Sequence, residues 1–400
     1  MFYRKKNQIK FLSVLSLIVA LTFFSNISVF DMALGNNYYV LMIVTVIILR
    51  LFSFSVTIGK RYVFLIFSAL LSIYFNEIPA FFKPYERFIS FTLLLALLSP
   101  LLTSNILRRF RHLLFLNFIK INVALVIGSF IGIAIGLPLV VGRGGYVGLF
   151  NHSMVLGPMA ALATLTCLCY GTINKHKKLR FLCFASAAIT FTTCIAAGSR
   201  GALIALIISC LVFFYKINQG KLFKYVKVLL LVVMLGLVSF PLWKNYTERL
   251  IGKMEYAESN DSLLFTREAL WQSRFKEFES SPIYGIGFAS IDTTNNQGFD
   301  AETGAIEPGS SWLAVLSMLG VLGILPILLI ISRYIFMLYN VKVKLHELGF
   351  LSAVLTFFIV HMTTEGYIFS AGSGLFFVFW LTLGNIDNYY RFFKQKKMYK

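Results

Sequence analysis

The chain has 400 residues, of which 58% are apolar and only 14% charged, and its mean hydropathy is +0.77. Soluble domains carry roughly 25% charged residues and about half apolar ones. A cytosolic globular enzyme, a disordered chain, a collagen and a secreted disulfide scaffold are therefore excluded, and the composition is that of an all-α polytopic membrane protein. Lys and Arg outnumber Asp and Glu 37 to 17, a net charge of +20, but no nucleic-acid-binding motif accompanies the excess.

A membrane-crossing helix needs about 20 mostly apolar residues. Runs of that kind occur at 9–30, 36–54, 61–77, 86–105, 114–138, 153–173, 181–198, 201–216, 225–243, 311–336, 348–364 and 369–387, which predicts about twelve transmembrane helices. The first run follows Met1-Phe-Tyr-Arg-Lys-Lys and ends in no small-x-small cleavage site, so it is expected to stay as a membrane helix rather than leave as a signal peptide. In the fifth, Gly128, Gly132 and Gly136 form a small-xxx-small stripe suited to close helix packing. The cysteines Cys167, Cys169, Cys183, Cys194 and Cys210 all lie inside apolar runs and read as small hydrophobes, with neither disulfides nor metal ligation expected.

Between the ninth and tenth runs lies the only long hydrophilic stretch, 244–310, with eleven of the seventeen acidic residues. It is expected to be one large extracytoplasmic loop on a single membrane domain that covers 1–400. Within it, Glu268 to Phe278 has the pattern of an amphipathic helix with Leu270, Trp271, Phe275 and Phe278 on one face, and Ser281-Pro282 ends it. If twelve spans alternate from a cytoplasmic N-terminus, 26 Lys and Arg fall inside and 10 outside. That asymmetry puts both termini in the cytoplasm and the acidic loop outside.

The outer-face cations are the unusual ones, because a charge near the bilayer is costly and tends to be functional. Arg200 lies in Ala197-Gly-Ser-Arg-Gly-Ala202, Arg143 in the Gly-rich turn Val141-Gly-Arg-Gly-Gly145, and Arg267 opens the amphipathic stretch. Together they would suit bidentate contacts to phosphate. Glu307, in Glu307-Pro-Gly-Ser-Ser-Trp312, is a candidate general base at the membrane boundary. His152 is a candidate substrate contact or a helix N-terminal group. His361 and Glu365, spaced i,i+4, are expected to satisfy each other on one helix face. No phosphate-binding loop, zinc-protease motif, nucleophile elbow or dinucleotide fingerprint is present.

These pieces resemble the O-antigen ligase/polymerase family of bacterial envelope glycan assembly. Three ordered segments carry the resemblance: Gly198-Ser-Arg-Gly-Ala-Leu203 opening a membrane helix, Arg267-x3-Trp271 followed by Ser281-Pro-Ile-Tyr-Gly-Ile-Gly287, and Pro308-Gly-Ser-Ser-Trp-Leu313 followed by Leu319-Gly-Val-Leu-Gly323. The resemblance implies a GT-C-type membrane glycosyltransferase of the bacterial inner membrane. Its substrate would be a glycan carried on undecaprenyl diphosphate, with no cofactor, metal or nucleotide sugar needed. Membrane lipids and a chain-length regulator protein would be its partners, and nucleic acid would not. Arg200 and Arg267, with Arg143 assisting, would hold the diphosphate, and Glu307 would activate the acceptor hydroxyl. Trp271, Tyr284 and Trp312 would line the sugar path. Ligases of the family carry a histidine after the proline that precedes the tenth span, where this chain has Gly309. That departure favours the polymerase branch, with the ligase as alternative and a lipid-linked oligosaccharide flippase or other transporter as a further one.

Overall fold

The computed structural model describes residues 2–30, 35, 37–53, 55–136, 141–142, 145–218, 221, 226–227, 251–252, 265–294, 298–299, 306–340 and 345–398. In chain order its longer helices are α1 (Phe2–Ile27), α2 (Asn37–Leu51), α3 (Lys60–Tyr74), α4 (Pro84–Leu98), α5 (Asn105–Ala134), α6 (Ser153–Ile173), α7 (Lys177–Ala196), α8 (Arg200–Ile217), α9 (Phe265–Ser280), α10 (Ser311–Asn340), α11 (Leu345–His361) and α12 (Gly374–Met398). Each predicted apolar run meets a helix except 225–243, which apart from 226–227 lies outside the described residues. Among the described residues six helices are long and apolar enough to cross a membrane, so the chain is a helical, multi-pass membrane protein. The strand content among the described residues is two antiparallel two-residue pairs, Thr57–Ile58 with Leu102–Thr103 and Val141–Gly142 with Gly145–Tyr146.

Helices α8 and α11 run antiparallel, and a glycine from each permits the approach. A side chain at Gly201, in the first turn of α8, would collide with Thr364 just past α11, while one at Gly349 on α11 would press on Phe213 and Ile217 near the end of α8. Small residues at such crossings let backbones come close and gain van der Waals contact, the main attraction available between helices in lipid. The glycine stripe of α5 behaves differently from its expectation. Gly128 makes room for Leu149, a loop residue, whereas α5 has already ended at Ala134 and Gly136 has φ of 67° with open space around it. Gly136 follows a helix end, where a left-handed residue is favourable, and contributes nothing to helix packing.

The long helix α10 is interrupted at Gly320, whose φ of 61° and ψ of −156° are not helical. A broken helix must satisfy its freed backbone groups inside the protein, and the Ser281–Gly287 segment does so here. Val321 and Leu322 donate their N–H groups to the carbonyls of Pro282 and Ile283 at 2.9 and 3.1 Å, and Ile286 N–H donates to Ser317 at 2.8 Å. Asn76, just beyond α3, donates to the Gly285 carbonyl at 2.9 Å, and Ser72 Oγ to the Met318 carbonyl at 2.6 Å. The loop is thereby stitched into α10 and α3.

Candidate active site

Three segments converge at one end of the bundle: the start of α9, the approach to α10, and the turn after α11. The segment at 310–312 docks on the turn through Ser311 N–H to the carbonyls of Met362 and Glu365 (2.9 and 3.0 Å), Ser311 Oγ to Glu365 O (2.7 Å) and Ser310 Oγ to Met362 O (3.1 Å). Tyr367 N–H returns to Ser311 Oγ at 3.0 Å, and Pro308 fills the space left by Gly366. This lacing fixes where Glu307 and Glu365 stand relative to one another.

Arg267, in the first turn of α9, bridges them. Its Nη1 donates to Glu307 Oε1 at 2.5 Å and its Nη2 to Glu365 Oε1 at 2.6 Å. The side chains of Arg267 and Glu365 are 15% and 20% exposed, that of Glu307 57%, so Glu307 is the carboxylate that faces outward. A guanidinium has five donor hydrogens; two are engaged here. The trio carries one positive and two negative charges, which makes it a poor phosphate cradle and a good device for orienting carboxylates.

Arg200 has the opposite condition. It begins α8, capped by Ser199 Oγ, which accepts from Ala202 N–H at 3.4 Å, and is one residue from the Gly201 contact with Thr364. Its Nη1 is buried and has no partner among the described residues. A buried unsatisfied guanidinium nitrogen costs several kcal/mol in principle and marks a place where an anion would be welcome.

Several expectations are altered. The His361–Glu365 pair does not form: α11 ends at His361, so the turn 362–364 carries Glu365 away from the helix face and onto Arg267. His361 is fully buried, its ring stacked against Phe357 (5.2 Å) and Tyr367 (5.7 Å), with neither ring nitrogen bonded. Burial first, and the Glu365 charge second, push the Tyr367 phenol well above its usual value. On α9 the inward face runs through half-buried Leu270, Trp271 and Phe278 and buried Arg274 and Glu277, while Phe275 is 50% exposed. Arg274 and Glu277 fall on the inward stripe at helical spacing, but polar residues at such positions are invisible to a hydrophobic pattern. Their ion pair spans 2.8 Å, and Arg274 Nη1 also reaches Ser317 Oγ at 3.1 Å and Ser290 O at 3.4 Å. Burial lowers the pKa of the Arg274 guanidinium, and the Glu277 carboxylate partly restores it.

The aromatic candidates hold architecture. Trp271 Nε1 donates to Gly309 O at 3.2 Å and Trp312 Nε1 to Ile359 O at 3.2 Å, while the Tyr284 ring lies 5.2 Å from that of Phe75. Gly309 has φ of 70°, and a Cβ there would stand 2.8 Å from Leu270 Cβ, so this backbone leaves no room for a histidine. His152 caps α6, its Nδ1 accepting from Met154 N–H at 3.0 Å. It lies at the same end as Arg200, since Gly157, one turn on, abuts Ser199. Arg143 lies outside the described residues. Among the described residues no three His, Cys, Asp or Glu side chains are grouped as metal ligands would be.

Residues 185–328 match the family model described as O-antigen ligase. Comparison with curated proteins gives no match. The matched segment holds Arg200, Arg267, Trp271, Glu307 and the α10 break, and stops short of His361 and Glu365.

Proposed function

We propose that this chain, whose residues 185–328 match the family model described as O-antigen ligase, is a glycan polymerase of the bacterial inner membrane. It transfers an oligosaccharide from an undecaprenyl diphosphate carrier to a sugar hydroxyl of another lipid-linked repeat. The observation that carries this reading is the pairing of an outward carboxylate, oriented by Arg267, with the buried, unpartnered Nη1 of half-buried Arg200 at the same end of the bundle.

In the reaction, Glu307 accepts the acceptor hydroxyl's proton, and the oxygen forms a bond to the anomeric carbon. The bond from that carbon to the diphosphate oxygen breaks, and the carrier diphosphate leaves with the electron pair. Arg200 neutralises the charge that develops on it, with no reorganisation required at that moment. Arg267 is a positioning residue, a change from the diphosphate contact its motif implies, because the two carboxylates it bonds give the trio a net negative charge that disfavours an anion beside it. Proton transfer to Glu307 takes place at the outer face.

The ligase reading is favoured by the description of the matched family; Gly309, where a side chain does not fit, favours the polymerase. Glycan analysis of a deletion strain separates them. Loss of long chains with a single repeat on the final acceptor is expected; full-length chains stranded on the polyprenyl carrier would instead identify a ligase. Arg200→Ala, expressed at the normal level, should reproduce the deletion pattern, and unchanged elongation in that variant would remove Arg200 from the site.

A further inference from the structure

A second polar site lies at the opposite end of the bundle. Helix α3 runs from Lys60, at this site, to Tyr74, beside the stitched loop, and its 15 residues at about 1.5 Å each separate the two ends by roughly 20 Å. A cavity of about 310 Å³ opens here between the start of α3, the middle and end of α10, and the latter part of α12. Its lining includes Lys60, Arg61, Arg333 and Arg391, and a single carboxylate, Asp387.

Asp387 is already committed. It accepts from Arg391 Nε at 2.7 Å and lies 3.8 Å from Arg333. Lys60 and Arg61 have no ion pair among the described residues, and they occupy the first turn of α3, whose N-cap is Gly59 with no capping side chain. Two cations at the positive end of a helix dipole repel it rather than complement it, which is the arrangement an incoming anion would relieve. A separate feature of the wall points the same way. Tyr62 and Tyr334, 4% and 1% exposed, both line the cavity, and their hydroxyls lie 2.8 Å apart. One hydrogen occupies that bond, which leaves the pair a second hydroxyl hydrogen to donate.

We propose that this cavity binds a phosphate-bearing anion, presented by the headgroup of an anionic phospholipid in the leaflet at that end. Basic pockets between membrane helices recognise such headgroups through charge-assisted hydrogen bonds, and the lining here holds four cations to one carboxylate.

The test uses the full-length protein, delipidated in neutral detergent, with binding of phosphatidylglycerol and phosphatidylcholine followed by native mass spectrometry. Phosphatidylglycerol is expected to bind in preference, and Lys60→Gln/Arg61→Gln to weaken it on the order of tenfold or more, at about 1 kcal/mol for each cation near a headgroup. Lys178→Gln/Arg180→Gln, a pair of cations on another helix, should leave it unchanged. Competition by inorganic phosphate at equal concentration would uphold the anion site and assign it to a soluble ligand instead. Equal binding by the Lys60→Gln/Arg61→Gln protein, or equal loss in both pairs of variants, would overturn the proposal. Glycan transfer is not the readout, so this outcome is independent of the activity assigned to the other end.

Discussion

Arg267 draws its importance from what it touches. With one guanidinium bonded to both Glu307 and Glu365, the two carboxylates are distinguished by exposure, and Glu307, the open one, is assigned as base. In that proposed role its replacement would remove the proton acceptor, and a general base typically contributes 10²–10⁴-fold. Glu307→Gln is therefore expected to lower transfer by about that factor in vesicles supplied with lipid-linked repeats, while Glu365→Gln, which loses only one anchor of Arg267, should lower it by about tenfold or less. A reversed order would make Glu365 the base. Arg274 allows a separate test of stability. Truncating one member of a buried ion pair strands the other charge, at a cost of about 3–5 kcal/mol, whereas replacing both by apolar residues of similar volume can be neutral. Arg274→Ala should sharply lower the melting temperature in detergent, and Arg274→Met/Glu277→Leu should recover most of it. If the double variant melts as low as the single one, the hydrogen bonds to Ser290 and Ser317 matter more than the pair.

At the level of elements, the break in α10 and the loop segment that fills it form one unit. Gly320 and Gly285 both have positive φ, 61° and 73°, and each presses its bare Cα on the other segment's backbone. A non-glycine residue at Gly320 would meet the Pro282 and Ile283 backbone in a conformation that itself costs about 1–3 kcal/mol. Gly320→Ala should thus lower the melting temperature and impair transfer, because the same stitch holds the chain between α9 and α10. An unchanged melting curve would mean that the loop does not depend on α10. The α8–α11 crossing acts alongside it: by bringing Gly201 against Thr364, it delivers Arg200 to the turn that carries Glu365.

On the scale of the whole molecule, a carboxylate-bearing end and a cationic end are separated by the length of the membrane helices. The excess of Lys and Arg on the segments assigned to the cytoplasm predicts that the end bearing Glu307 faces outward. A membrane-impermeant thiol reagent on intact cells should label a cysteine introduced at exposed Thr293 and fail to label one at exposed Lys178; the converse labelling would invert the orientation and relocate the chemistry to the cytoplasm.

The membrane class, the position of most helices and the ordered motifs were all legible along the chain, because hydropathy and helix length are local properties that the bilayer thickness imposes on about 20 residues at a time. The stretch around Arg267, Trp271 and Glu307 could likewise be picked out by residue type and spacing. Its partners could not. Arg267 meets Glu307 across 40 positions and Glu365 across 98, and no local pattern reports a contact of that range. His361 and Glu365 misled because their i,i+4 spacing presumes a helix that in fact ends at the first of them. The inward stripe of α9 misled because Arg274 and Glu277 are buried by pairing, a property of two side chains and their neighbours rather than of either alone. Which charges are bonded and which, like Arg200, are left with an unpartnered nitrogen was decided only when the helices packed, since satisfaction of a buried polar group depends on what the rest of the fold brings within about 3 Å of it.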